Sequence, residues 1–278
     1  MLETTLIPPH PALGAADRAE LTRAVDALEH VSLAVRLAGL IGRPIDIVTH
    51  LVPERARALA ARATTMALRA ALHVAIKGAA ARKGPASNAR HRVIAMAAGA
   101  AGGALGFASL PVELPASTIV MLRAIADIAR ENGEDMRAPE TALACLEVFA
   151  LGGQRGESGD NLDSSYFAAR AVLARSVSEA ARYIAQKGLV DEAAPALVRL
   201  VALIAQRFGV VVTQKVAAQS IPILGALGGA AVNYAFIDHF QSIARAHFTV
   251  RRLERLRGPE IVRSEYEALR MKQAKTRG

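Results

Sequence analysis

Hydrophobic and polar positions alternate with a helical period over most of the chain. In residues 53–82, which open with a proline suited to a first helical turn, Leu59, Met66, Leu72 and Ile76 recur at roughly helical spacing. The same signals predict further helices at Asp17 to about Leu40 with Asp17 as the N-cap, Pro139 to about Leu151, Tyr166 to Lys187, and from Pro195 onward. The pattern therefore predicts a chain made mainly of helices.

Residues 93–112 form a run of twenty positions without a charge, which is the length of a membrane span. Only six of these positions are Leu, Ile, Phe or Val, the residues that favour membrane insertion most. Four glycines in the run would instead allow another backbone to approach closely. The composition therefore favours a buried helix, or a hairpin that inserts reversibly, over a permanent span. The same choice stays open for the apolar residues 219–237.

Two prolines follow in the next segment. Pro111 and Pro115 lie on either side of Glu113 and predict a break between two apolar elements. Ser117 or Thr118 would then cap a helix that ends at the following Glu-Asn-Gly sequence. A carboxyl group at such a break needs either a partner or a raised pKa if it is buried.

Composition supports an all-α protein. Apolar residues make up 52% of the 278 positions, aromatic residues only 4%, and tryptophan is absent. Alanine and leucine dominate, which favours closely packed helices with small contact residues over a sheet rich in β-branched and aromatic side chains. We predict a single multi-helix bundle with buried helices rich in glycine and alanine. Residues 17–270 would form this domain, between a disordered leader at 1–16 and a basic tail at 271–278.

Cys145 is the only cysteine, which excludes an intrachain disulfide and a metal site built on several cysteines. A single thiol fits a reducing compartment. Glu3 and nearby prolines occupy positions where a signal peptide would carry a basic residue and an apolar core. These features predict a cytoplasmic location.

The formal net charge of +9 predicts an anionic partner, either nucleic acid or an anionic membrane surface. Few aromatic residues are available to stack on single-stranded nucleic acid, and no RNA-recognition or zinc-finger pattern occurs. No nucleic acid partner is therefore expected, and a membrane surface is favoured.

Residues 225–258 join an uncharged apolar half to a half that is dense in histidine and arginine. His247, Arg251 and Arg255 are four residues apart and lie on one helix face, with Arg252 beside them. If exposed, such a ridge would bind phosphate or carboxylate groups, including those of lipids. If covered, it would be a structural ion-pair strip.

The sequence indicates no metal site and no cofactor. His239 and His247 are eight residues apart, whereas a helical zinc site commonly uses histidines at i and i+4. The acids of the polar, glycine-rich residues 152–165 do not match the pattern of a calcium loop. This segment is predicted to be a mobile loop.

Lys215 lies in a mostly apolar stretch, FGVVVTQKVAA. Either its long side chain reaches the surface, or it pairs inside the bundle with Glu113 or Glu147. Sequence spacing alone does not place these three residues together.

Four segments carry a family resemblance: PVELPASTIVMLRAIADIARENGEDMRAPETALACLEVFALGG, SSYFAAR, RFGVVVTQKVAAQSIPILGALGGAAVNYAFIDHFQSIARAHFTVRRLERLRG and VRSEYEAL. They resemble the EcsC protein family over roughly Arg18 to Leu269. The family implies no established activity, but its founding member's gene accompanies the ATPase and membrane subunits of an ABC transporter. Among the positions that match the family pattern, those that would form a buried polar network are Glu113, Glu147, Lys215, Asn233, His239 and Glu254.

The leading hypothesis is a cytoplasmic helical protein, peripheral at the inner face of the plasma membrane, that binds anionic lipid or a transporter-type membrane partner. A second hypothesis is a hydrolase-like enzyme that uses Glu113 or Glu147 with Lys215 and a histidine. That enzyme would need a pocket, open to solvent, that joins these groups. A third is a structural module whose glycine-rich faces dock helices of a membrane subunit.

Overall fold

The computed structural model describes residues 13–30, 32–42, 44–50, 52–78, 109–153, 166–187, 193–219 and 225–277, and every regular element among them is an α-helix. The helices are α1 (Ala15–Glu29), α2 (Leu33–Ile41), α3 (Ile45–His50), α4 (Glu54–Gly78), α5 (Leu110–Glu131), α6 (Pro139–Leu151), α7 (Tyr166–Lys187), α8 (Pro195–Gln219), α9 (Gly225–Arg257) and α10 (Pro259–Arg277). They pack as one bundle, so the predicted all-α fold is confirmed.

Helix α6 lies at the centre of the bundle. Every residue from Thr141 to Leu151 is buried, and the helix packs against α4, α5, α7, α8 and α9. A helix that is apolar nearly all the way round can be stable only when other helices cover it on every side. Cys145 and Glu147 are therefore interior groups, although one is weakly polar and the other ionisable.

An aromatic cluster joins α6 to α8 and α9. Phe149, Phe208, Phe236 and Phe240 pack with ring centroids 5.0 to 6.1 Å apart. Directly after α6 the chain passes close to α8, so that a Cβ on Gly153 would lie 2.7 Å from the backbone oxygen of Arg207. Only glycine fits this approach.

Several predicted boundaries are confirmed. Helix α6 runs from Pro139 to Leu151 and α7 from Tyr166 to Lys187, as the sequence predicts. The stop after α5 also occurs where it was expected, since Gly133 has a φ of 77°, a left-handed conformation that favours glycine.

The prediction of one helix from Asp17 to Leu40 was wrong, because the segment forms α1 and α2. The N-cap of α1 is Gly14, and Asp17 lies in its first turn. A second start occurs at Ser32, whose side chain accepts a hydrogen bond from the backbone N–H of Val35 at 3.2 Å. No glycine or proline marks this break, so only the capping serine could have indicated it.

The predicted break around Glu113 was also wrong. Helix α5 begins at Leu110 and continues through Pro115, with Pro111 in its first turn. The first backbone N–H groups of a helix have no carbonyl partner within it, so Pro111 costs little. Pro115 lies further in, and it interrupts a single backbone hydrogen bond. Ser117 and Thr118 are buried inside the helix and do not cap it.

Other predictions fall outside the described residues: most of the leader, residues 93–108 of the uncharged run, residues 220–224, and most of the polar segment 152–165. Residues 271–277 of the predicted basic tail continue α10.

Candidate functional site

The arginines of the predicted basic ridge on α9 contact carboxylates from other parts of the chain. Arg251 donates from Nε and Nη2 to the two oxygens of Glu134, at 2.9 Å each. Arg255 pairs with the same carboxylate, and Arg252 pairs with Glu20 of α1. These contacts match the second interpretation of the row, a structural ion-pair strip.

Glu134 is the centre of this strip, and its side chain is only 5% exposed. Burial opposes its ionisation, but the hydrogen bonds and charges of Arg251 and Arg255 outweigh burial and hold the pKa of that carboxyl below its ordinary value. The carboxylate is thus charged at neutral pH and neutralises part of the ridge.

His247 is fully buried, so the ridge does not present it to solvent. The hydroxyl of Tyr166 lies 2.9 Å from Nδ1 of His247 and accepts a hydrogen bond from Arg170 at 3.2 Å. Burial, with the nearby charges of Arg170 and Arg251, lowers the pKa of His247 well below its ordinary value. The imidazole is therefore neutral, and its Nδ1 shares one hydrogen bond with the Tyr166 hydroxyl.

The structure brings Glu113 and Lys215 together. Nζ of Lys215 lies 2.8 Å from Oε1 of Glu113, and the two side chains are 1% and 5% exposed, respectively. The ammonium group also lies 5.0 Å from the ring centroid of Phe236. Lys215 thus pairs inside the bundle and does not reach the surface.

The other members of the predicted network lie elsewhere in the interior. His239 donates from Nε2 to the backbone oxygen of Gly152 at 2.9 Å, and burial lowers its pKa to about 4. Asn233 is fully buried on α9. Among the predicted members, the structure pairs Lys215 with Glu113, whereas Glu254 pairs with Arg170 and His239 bonds to the backbone of Gly152.

Glu147 and Glu254 line a cleft of about 390 Å³ that is open to solvent. Arg170 of α7 holds Glu254 with two hydrogen bonds, at 2.8 and 3.2 Å. The remaining walls come from α7 and α10: Phe167, Ala171, Ala174, Val177, Ser178, Pro259, Glu260 and Arg263, with Arg251 from α9.

Glu147 is the unusual group of this cleft. It is 6% exposed and, within the described residues, forms no hydrogen bond or ion pair. Burial raises its pKa to about 7, although the guanidinium groups of Arg170 and Arg251 oppose that shift. A carboxyl with a pKa near neutrality in an open cleft is a common feature of functional sites.

Comparison with known proteins identifies the family. A model described as the EcsC protein family matches residues 45–253. The chain belongs to the EcsC protein family. The match is narrower than the resemblance from Arg18 to Leu269, and it includes the Glu113–Lys215 pair and Glu147 but not α10. Searches among curated proteins and among solved structures found no match.

This EcsC-family chain carries a second basic surface, which our reading of the sequence missed. Arg55, Arg62, Arg69 and Lys77 are exposed on α4 and form no ion pair within the described residues. At 3.6 residues per turn they fall within an arc of about 80° and extend over roughly 33 Å. We call these four residues the α4 stripe. The spacing of seven residues between its three arginines was the signal that could have found it.

Two further properties bear on function. Within the described parts of this EcsC-family chain, no group of three His, Cys, Asp or Glu side chains could hold a metal ion. In the same parts, α8 is the one helix long and apolar enough to cross a membrane. A core helix passes the same test, and α8 carries Lys215, which is bound to Glu113.

Proposed function

We propose that this EcsC-family protein attaches peripherally to an anionic membrane surface through the α4 stripe. The observation that carries the proposal is the stripe itself: Arg55, Arg62, Arg69 and Lys77 lie on one helix face without carboxylate partners in the described structure. Met66, 53% exposed, lies on the same face. An extended row of cations with an apolar side chain among them suits the headgroup region of a bilayer.

The distribution of ion pairs favours α4 over α9 as the contact. Arg251 and Arg255 share Glu134, Arg252 contacts Glu20, and each would have to leave its partner before it could bind a lipid phosphate. Among the described residues, the cations of the α4 stripe would break no such contact. The proposed partner is therefore still an anionic membrane, as the sequence predicts, but the proposed contact surface is on α4 and not on α9.

The geometry also allows all four cations to act together. The opposite face of α4 is buried against α5, α6 and α8 through small residues such as Ala60, Ala63 and Ala67, so the helix is held firmly. Each basic residue near an anionic leaflet contributes about 1 kcal/mol, and this attraction decays within a Debye length of about 10 Å at 0.1 M salt. Attachment should therefore be reversible and sensitive to salt. Anionic lipid on the inner leaflet suits the expected cytoplasmic, peripheral location.

The hydrolase-like alternative has less support. It needs one solvent-open pocket that joins a carboxylate, Lys215 and a histidine. As far as the described residues go, the cleft at Glu147 is lined by neither Lys215 nor a histidine, and Lys215 is enclosed with Glu113. No second function is therefore proposed from these groups.

Flotation with vesicles tests the proposal. Wild-type protein should float with vesicles that contain phosphatidylserine, fail to float with neutral vesicles, and detach over a salt series from roughly 0.05 M to 0.5 M. A variant with Arg55, Arg62, Arg69 and Lys77 changed to Gln should lose flotation.

The matched control changes Arg23, Lys187, Lys272 and Lys275 to Gln, which removes the same charge from exposed positions on α1, α7 and α10. This control should still float. Equal loss in both variants would mean that net charge alone drives binding, and would overturn the assignment to α4. A wild-type protein that floats under no condition would overturn membrane attachment, and a transporter-type protein partner would become the better hypothesis.

A further inference from the structure

We infer that the cleft between α6, α7, α9 and α10 binds a small ligand with a carboxylate or phosphate group, whose oxygens bond to Arg251, Arg263 and the carboxyl group of Glu147. This cleft is a different surface from the α4 stripe, and ligand binding there does not depend on membrane attachment.

The cleft contains hydrogen-bond donors that its ion pairs do not use. Arg263 is exposed at the rim, and its guanidinium group forms no ion pair within the described residues. Arg251 uses only Nε and Nη2 to hold Glu134, which leaves the N–H groups of Nη1 for another acceptor. Planar guanidinium groups match the geometry of carboxylate and phosphate oxygens.

Glu147 supplies the second observation. It lies on the central helix, is nine-tenths or more buried, and has no hydrogen-bond partner in the described structure although Arg170 and Arg251 are close enough to act on its charge. Because this carboxyl lines the open cleft and has no protein partner in the described structure, a ligand in the cleft can bond to it directly. In its protonated form it donates one hydrogen bond, which an oxyanion can accept.

The walls of the cleft define the rest of the ligand. Phe167 lies beside both Arg170 and Arg263, whose guanidinium carbons are each 5.6 Å from its ring centroid. Ala171, Ala174 and Val177 continue this apolar wall. A volume of about 390 Å³ is at the lower end of the range for small-molecule sites, so the ligand is a small anion with an apolar body.

Charged groups from several elements face Glu147 and set its response to pH. Arg170 comes from α7, Arg251 and Glu254 come from α9, and Glu260 and Arg263 of α10 lie at the rim. Glu134, between α5 and α6, is neutralised by Arg251 and Arg255. Within the described residues, α4 and α8 add no charge that shifts the pKa of Glu147.

Benzoate and phenyl phosphate are suitable probes, because both join an aromatic body to an oxyanion. Benzoate also stays a monoanion around neutral pH, whereas a phosphate monoester changes charge near pH 6. A titration followed by ¹H–¹⁵N chemical shifts should show saturable benzoate binding at residues of the cleft. Binding should be about tenfold weaker at one pH unit above the pKa of Glu147 than at one unit below, because only the protonated form binds. Tighter binding of phenyl phosphate at one fixed pH would identify phosphate as the preferred group, and tighter binding of benzoate would identify carboxylate.

Variants make the inference falsifiable. Glu147→Gln mimics the protonated carboxyl and should bind benzoate with an affinity that no longer depends on pH. Arg263→Gln should weaken binding about tenfold. Lys272→Gln, which removes a charge from α10 outside this cleft, should leave binding unchanged. The inference is overturned if neither probe saturates, if Lys272→Gln weakens binding as much as Arg263→Gln, or if Glu147→Gln keeps the pH dependence.

Discussion

Lys215 and Glu113 form an ion pair in the interior of the bundle, with 2.8 Å between Nζ and Oε1. The residues are 102 positions apart in the chain and join α8 to the first turn of α5. Moving two charges out of water is costly, so their attraction must offset a desolvation penalty, and we expect the pair to contribute little net stability.

Removing one partner should therefore cost more than removing both. Lys215→Met leaves a buried carboxylate without a counter-charge and should lower the free energy of unfolding by about 3 to 5 kcal/mol. The double variant Lys215→Met/Glu113→Leu should lose less free energy of unfolding than either single variant, and so clearly less than the two single losses added together. Urea unfolding of the wild type, both single variants and the double variant measures this coupling. Additive losses would show that the pair has no coupling energy.

Glu147 should make stability depend on pH. Burial raises its pKa from 4.5 to about 7, so between these values the folded protein holds a proton that the unfolded chain has released. The stabilisation from this proton is fully present below about pH 4.5 and is lost as the pH rises through about 7. Glu147→Gln cannot ionise, and at about pH 8 it should be more stable than the wild type by roughly 1 to 3 kcal/mol.

The difference in stability between the wild type and Glu147→Gln should disappear at acidic pH, where Glu147 is protonated in both the folded and the unfolded protein. His239, whose lowered pKa has the opposite effect on stability, is present in both proteins and cancels in the comparison. Urea unfolding over a pH series is the measurement. A constant difference at every pH would mean that the pKa of Glu147 is not raised in the folded protein.

Two glycines should respond in opposite ways to substitution by alanine. Gly153→Ala would place a methyl group 2.7 Å from the backbone oxygen of Arg207, which cannot move aside alone, so we expect a loss of about 1 to 3 kcal/mol. Gly209 lies inside α8 with no atom within 4 Å of an added Cβ. Gly209→Ala should therefore stabilise the protein by roughly 0.5 to 1 kcal/mol, because alanine is the better helix former. Thermal unfolding of both variants is the measurement, and equal shifts in Tm would contradict the prediction of opposite effects.

Local signals in the sequence predict much of this fold. The limits of α6 and α7 follow from Pro139, from the turn residues around them and from hydrophobic periodicity. The start of α5 at Leu110 does not follow from such signals. Pro115 normally disfavours a helix interior, so the sequence predicts a break there, but the helix continues through this proline close to its start.

The candidate sites were harder to predict, since they depend on contacts between distant segments. The ridge at Arg251 and Arg255 was visible in the sequence, but its neutralisation by Glu134 depends on how α9 packs beside the end of α5. Similarly, Glu147 was a candidate from the start, yet only packing of α7 and α10 shows that it borders a cleft. Sequence periodicity places a residue on a helix face and does not tell which faces are covered.

Substitutions on α9 and in the α4 stripe should therefore have different effects: the first should lower stability, and the second should weaken membrane binding. Arg251→Gln breaks a bidentate contact to Glu134 and should lower the free energy of unfolding by about 1 to 3 kcal/mol, while vesicle flotation is kept. Arg62→Gln/Arg69→Gln changes exposed side chains that form no ion pair in the described part of the chain, and it should alter stability by less than about 0.5 kcal/mol. The same double variant should bind anionic vesicles more weakly. Urea unfolding and flotation of both variants check this, and the opposite result, with Arg251→Gln detached from vesicles but fully stable, would return the membrane contact to α9.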